Sequence, residues 1–192
     1  MVSLPDSYVS PEEYLARERA TETKSEYWDG RIYAMSGGSV YHSLIAANLI
    51  AVLWPQLRGK PCRVHGSDLR ISAANGKRYF YPDVSVICGP ALFDDERKDT
   101  ATNPTVIVEV LSESTAAYDR GPKFLSYQGI ATLQEYLLVH QDQPVLEHYL
   151  RRSDDTWIYH KLEGTASGLD LPSIQCSLKL EEVYLSVFEG GD

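Results

Sequence analysis

Two apolar runs in the middle of the chain, YFYPDVSVI and PTVIVEVLSEST, each carry one carboxylate, Asp83 and Glu109, where the surrounding residues read as buried strand. Alternation along PTVIVEVL puts Glu109 on the face of Ile107 and Leu111, and alternation along YPDVSVI puts Asp83 with Tyr81 and Ser85. Both runs are apolar on both faces, as central strands are, which predicts each carboxylate near a strand terminus facing a crevice. A buried, unpaired carboxylate is costly. Something positive is therefore expected between the two, either a metal ion or an arginine.

The remaining pattern supplies the frame. Ser10-Pro11-Glu12-Glu13 opens a helix, with Ser10 as cap and Glu13 at the reciprocal capping position. That helix is expected to end before Tyr27-Trp28-Asp29-Gly30, the turn of a hairpin SEYWDGRIYAM. Gly37-Gly38 breaks the hairpin, and Ser39 caps a second helix whose apolar face includes Val40, Leu44, Ala47 and Ala51 and which ends around Trp54-Pro55 or slightly later. PCRVHG, SDLRISA, RYFYPDVSVIC and PTVIVEVL read as strands, with the polar segment 90–103 as an excursion at the sheet edge. GPKFLSYQGI predicts a short helix opened by Pro122. QEYLLVH, VLEHYLR and DTWIYHK predict further strands, and SLKLEEVYLSVFE a closing helix. The sum is an α+β fold with an α/β core: a mixed β-sheet flanked by helices, with additional hairpins towards the C-terminus.

At 192 residues the chain fits one domain, 1–192, able to bury a core without disulfides. Cys62, Cys88 and Cys176 form no CxxC pair, so neither a disulfide framework nor a cysteine zinc site is expected, and a cytoplasmic setting is the simpler expectation. The first residues, MVSLPDSYVSPEEYL, lack the basic and apolar regions of a signal peptide, and no spanning helix is expected. A net charge of −9 argues against non-specific coating of nucleic acid. Residues 58–78, however, hold six basic groups against the single acid Asp68, which reads equally as a polyanion-binding surface or a solvated loop.

Two carboxylates a few ångströms apart suit Mg²⁺ or Mn²⁺, which take carboxylate, carbonyl and water oxygens and can polarise a phosphoryl group. A structural aspartate beside an arginine-paired glutamate is the competing reading. Lys123, following Asp119-Arg120-Gly121-Pro122, offers a compact ammonium that could sit over a metal-bound water or a scissile phosphate, although a lone lysine there usually faces solvent. Glu26, at the edge of the first hairpin, could add a carboxylate. His42, in the first turn of the second helix, could share a proton with a carboxylate or a phosphate, or be a satisfied structural histidine. His65, His140, His148 and His160 show no ligand spacing, and the aromatics Tyr79, Phe80 and Tyr81 are read as core.

The order SEYWDGRIYAMSGGSVYHSLIAANL, SDLRI, YPDVSVI, NPTVIVEVLSESTAAYDRGPKFLSY and LQEYLLVHQ, over roughly residues 10–150, resembles the Uma2 (DUF820) family common in cyanobacteria, placed in the PD-(D/E)XK nuclease superfamily. The resemblance implies a restriction-endonuclease-like core and a Mg²⁺-dependent endonuclease acting on DNA as a homodimer. By position Asp83 is the motif aspartate and Glu109 the acidic residue of the (D/E)XK element. Leu111 stands where that element would carry lysine, and Lys123 matches a lysine moved to the following helix. Glu26 and His42 match the glutamate before the first hairpin turn and the helix histidine. Glu113 stands where the family often has proline. The implied metal ligands are Asp83, Glu109, the Val110 carbonyl and Glu26, with no organic cofactor and no membrane partner. Two other readings stay open: a nuclease fold without catalysis that binds DNA or protein, and a metal-dependent hydrolase of small phosphoesters.

Overall fold

In the computed structural model, which describes residues 8–35 and 37–188, the first capping motif forms as the sequence dictates: Ser10 Oγ accepts the Glu13 N–H and Pro11 opens helix α1 (Pro11–Glu18). The helix stops well short of the hairpin, because residues 19–24 form a connector before strand β1 (Ser25–Trp28). Asp29 and Gly30, both at positive φ, turn the chain into β2 (Arg31–Ala34), a conformation that an Asp-Gly pair adopts at low cost. Residues 1–7, which hold part of the segment read against a signal peptide, lie outside the described residues, as does Glu189 at the end of the expected closing helix.

Ser39 caps α2 (Val40–Leu57), whose Ile45, Leu49, Leu53 and Leu57 are buried. The 18-residue helix contains no Asp, Glu, Lys or Arg, and with a mean hydropathy of 1.3 it is long and apolar enough to cross a membrane by length and composition. A core helix passes the same test, and this one packs Ile45, Leu49, Leu53 and Leu57 into the core. The helix ends at Leu57, slightly past Trp54-Pro55, as expected.

Three sheets follow. The first has the order β2-β1-β5-β4-β7, with β4 (Arg70–Ala73), β5 (Arg78–Phe80) and β7 (Thr100–Ala101), the last an edge strand inside the polar segment 90–103. The second is six-stranded: β3 (Cys62–Gly66), β6 (Val84–Cys88), β8 (Val106–Leu111), β9 (Glu135–His140), β10 (Val145–Arg151) and β11 (Trp157–Glu163), in the order β11-β10-β9-β8-β6-β3. A ribbon of β12 (Gly168–Leu171) and β13 (Cys176–Lys179) is the third. The expected single strand RYFYPDVSVIC is two strands in different sheets. Pro82, which lacks an N–H for a ladder, marks the break. The predicted closing helix is also divided: its first residues form β13, and only Leu180–Val183 (α5) is helical.

The parallel pair β8 and β9 needs a crossover, and the segment between them is helical from Ala116 to Gln128: α3 (Ala116–Tyr118), a π-helical turn Asp119–Lys123, and α4 (Phe124–Gln128). Pro122 lies inside this run rather than opening a helix. A proline there removes one hydrogen bond and crowds the carbonyl four residues earlier, and the wider π turn gives that carbonyl room. Its consequence is positional: Asp119 and Lys123 both end up buried on the inner side.

The six-stranded sheet is covered on both faces. One face packs with α2, the ribbon and α5 around Val84, Val108, Leu137 and Leu146. The other packs with the crossover helices and the first sheet around Phe80, Ile107, Phe124 and Tyr136. Antiparallel β3 and β6 set Cys62 directly opposite Cys88, and the two form a disulfide. This corrects the expectation of unpaired cysteines, and the argument from cysteine usage to a reducing compartment loses its premise. The architecture is an α+β fold of mixed parallel and antiparallel sheets flanked by helices, of the restriction-endonuclease-like kind.

Candidate active site

The two carboxylates that interrupt the apolar runs arrive on neighbouring strands. Glu109 sits mid-strand in β8 on the face of Ile107 and Leu111, rather than at a terminus, and is buried. Asp83 sits one residue ahead of β6, and its Oδ2 accepts the Val110 N–H at 2.7 Å. The structure therefore places the amide of Val110 against Asp83.

The positive partner of Glu109 is a lysine, which it shares with Glu26. Lys123, 5% exposed, directs Nζ to within 2.9 Å of both Glu109 Oε1 and Glu26 Oε1, with Asp119 Oδ1 at 3.7 Å. Glu26 reaches the cluster from β1, so the first sheet, the second sheet and the crossover each contribute. Tyr127 Oη donates to Glu109 Oε1 at 3.0 Å and Tyr136 Oη donates to the Asp119 carbonyl. Burial opposes the Lys123 charge, but Glu109, Glu26 and Asp119 outweigh it and hold the ammonium well above its ordinary pKa. Burial also lifts Glu109 well above the usual carboxylate range, and lifts Asp119 in the same direction, with Lys123 offsetting only part. Three carboxyl groups crowd one ammonium, and repulsion among the acids adds to the burial that pushes Glu109 and Asp119 towards the protonated form.

Asp83 takes a different partner. His42 Nε2, from the first turn of α2, lies 3.2 Å from Asp83 Oδ2, and that hydrogen bond raises the His42 pKa against the opposing pull of burial. A raised histidine stabilises the fold below its unfolded value near 6.5, and that contribution is lost as pH rises through the folded value. The His42 ring, followed by NMR, should titrate above 6.5, and its midpoint should fall in Asp83→Asn. An unchanged midpoint would show that the pair does not set it.

All five candidate residues thus lie in one region, as a Lys123 group with Glu26 and Glu109 and a His42–Asp83 pair coupled to it through Asp83 and Glu109. Sequence reasoning missed Asp119 and Tyr127. Asp119 was within reach, because acid and lysine four residues apart in DRGPK share a helix face. Asp68, the single acid of the basic segment, is an exposed partner of Lys24 away from this cluster.

Among the described residues, no three His, Cys, Asp or Glu side chains gather at metal-binding distance. The donor chemistry nonetheless fits a hard dication: Mg²⁺ is commonly held by one or two carboxylates with water completing the shell, and a cation would relieve the mutual repulsion of Glu109 with Asp119, Asp83 and Glu26. The basic segment 58–78 is largely committed to internal contacts. Arg70 is buried against Tyr81, Thr100 and Asp99, Arg78 pairs with Asp29, and Lys60 and Arg63 bind backbone carbonyls.

Comparison with known proteins agrees with the architecture. A solved structure described as a putative nuclease belonging to DUF820, from Anabaena variabilis ATCC 29413, superposes with a TM-score of 0.77 at 18% identity, covering 94% of this chain and 99% of that one. Two uncharacterized proteins of Synechocystis sp. (strain ATCC 27184 / PCC 6803 / Kazusa) are similar over nearly their whole length. One, slr1290, is 41% identical over 95% of this chain and 94% of its own, and the other, sll1609, is 37% identical over 88% and 96%. The family model described as "Uma2: Putative restriction endonuclease" matches residues 11–181, a span that holds every residue of the buried cluster. With that span and those full-length relatives, the chain belongs to the Uma2 family.

Proposed function

We propose that the protein is a metal-dependent endodeoxyribonuclease whose catalytic residues are Asp83, Glu109, Lys123, Glu26 and His42. The observation that carries this reading is the Lys123 ammonium, buried and 2.9 Å from Glu109 on the strand beside Asp83. A fold needing only a rigid core would pack better with apolar residues there, since burying charge costs several kcal/mol per ion. In this reading Asp83 and Glu109, with the Val110 carbonyl and Glu26, hold Mg²⁺ or Mn²⁺. The ion, when bound, supplies Lewis-acid polarisation of a phosphoryl oxygen and of the attacking water.

The residues themselves do the rest. Lys123 stays an ammonium, so it orients water and stabilises charge developing on the phosphate instead of removing a proton. His42, held on Asp83 with a raised pKa, can carry a proton to the leaving 3′ oxygen. The reading takes residues 1–192 as one nuclease domain acting on DNA as a homodimer without an organic cofactor. Asp83→Asn keeps an acceptor for the Val110 N–H while removing a charge. It should keep the fold and lower Mg²⁺-dependent cleavage of supercoiled plasmid by ~100-fold or more, the scale of a few kcal/mol at the transition state. Cleavage at wild-type rate in that variant would remove Asp83 from the site.

A second reading has one observation in its favour. The internal use of Arg70 and Arg78 leaves less free positive charge for a polyanion than the sequence suggested, which suits a nuclease fold that does not cut DNA. Calorimetry with Mn²⁺ separates the two: stoichiometric binding that Glu109→Ala abolishes supports the nuclease, and no binding to wild type supports the inactive fold.

A further inference from the structure

We propose a second metal site, for a transition-metal dication such as Cu²⁺, Ni²⁺ or Zn²⁺, held by His148 and His160 on the opposite face of the six-stranded sheet from Glu109. Side chains alternate along β10, and His148 falls on the α2 side with Leu146, whereas Glu147 falls on the side of the catalytic cluster. Antiparallel pairing of β10 with β11 sets His148 directly opposite His160, and their ring centres are 6.1 Å apart. Two imidazole nitrogens each about 2.1 Å from one ion leave the ring centres at most ~6.4 Å apart, so the observed spacing admits a shared ion.

The ring of His148 is held in one orientation. Its Nε2 lies 2.7 Å from Glu135 Oε2, and Glu135 is itself fully buried and fixed through Oε1, which accepts the Ser173 N–H at 2.9 Å and the Ser173 hydroxyl at 2.5 Å. A carboxylate only accepts, so Nε2 carries a proton, and in the neutral ring that metal binding requires Nδ1 presents the lone pair. That Nδ1 is buried, in a residue 2% exposed, and has no hydrogen-bond partner among the described residues. The two nitrogens of an imidazole face nearly opposite ways. Since β9 and β11 flank β10 on opposite sides, an Nε2 turned to Glu135 on β9 leaves Nδ1 facing the β11 side, where His160 stands. A carboxylate fixing the far nitrogen of a ligating histidine is a recurrent arrangement around protein-bound metals, and its loss weakens affinity about 10–100-fold.

His160 is exposed on the edge strand, which gives an ion an entry path and leaves its other positions to water. Imidazole ligands select the later first-row metals, with Cu²⁺ bound most tightly, and not the hard dication proposed for the carboxylate cluster.

Titration of the intact protein with Cu²⁺, followed by electron paramagnetic resonance, tests the site. One equivalent should bind with superhyperfine structure from two imidazole nitrogens. His160→Ala, at an exposed position whose metal-free melting should not change, should lose that signature, and Glu135→Gln should weaken binding ~10-fold or more. Asp83→Asn should keep the signature, which separates this site from the catalytic cluster. An unchanged spectrum in His160→Ala, or an oxygen-only spectrum in wild type, would overturn the proposal.

Discussion

Replacing Lys123 with methionine should destabilise the protein by about 3–5 kcal/mol, the scale seen when one partner of a buried ionic group is removed. Methionine matches the length of the lysine stem and takes away the charge, so Glu26, Glu109 and Asp119 are left facing one another in a buried pocket. The carboxyls can relieve that repulsion only by taking up protons, which raises their folded pKa values further. A raised folded value gives stability that is present below the unfolded pKa near 4.5 and is lost as pH rises through the folded one. The loss in Lys123→Met should therefore be small near pH 4.5 and largest at pH 8. Urea unfolding at the two pH values measures it, and a variant within 1 kcal/mol of wild type at pH 8 would mean that the ammonium does not hold the cluster together. Plasmid cleavage should be lost under both conditions.

Replacing Glu109 with glutamine should have the opposite effect on stability and the same effect on activity. Glu109 is buried, and that burial holds its folded pKa well above the usual carboxylate range. Glutamine keeps an oxygen to accept the Tyr127 hydroxyl, while Glu26 and Asp119 still pair with Lys123. Glutamine removes the cost of burying that charge, so a gain in stability is expected in metal-free protein at pH 8. By the same sign argument the gain should vanish near pH 4, where the carboxyl is protonated in both folded and unfolded chains. Melting in chelator at both pH values reads it out. A Glu109→Gln protein that melts below wild type at pH 8 would show that its ionic contacts outweigh its burial. Stability gained as cleavage is lost is the mark of a residue kept for chemistry at a cost to the fold.

Local chemistry made much of this molecule readable. Ser10 and Ser39 announced their helices because a side-chain oxygen can satisfy a free N–H from one turn away, and Asp29-Gly30 announced its hairpin because few residue pairs accept those φ values. The alternation in VIVEVL put Glu109 on the correct face, since that depends only on the pleat of one strand. The cost of a buried carboxylate was by itself enough to require a positive partner.

Tertiary structure alone decided which partner that was. A metal ion and an arginine were the two expectations. The structure supplies Lys123 for Glu109 and His42 for Asp83, because the register of the crossover and the start of α2 bring them there. The division of RYFYPDVSVIC between two sheets, the Cys62–Cys88 pair and the His148–His160 pair share one reason for being illegible. Each depends on which strand is set against which and in what register, and such pairings leave no period within either strand. The residue types of the candidate site were determined by the sequence; their distances, partners and charge states arose only when three elements of the fold closed on one buried ammonium.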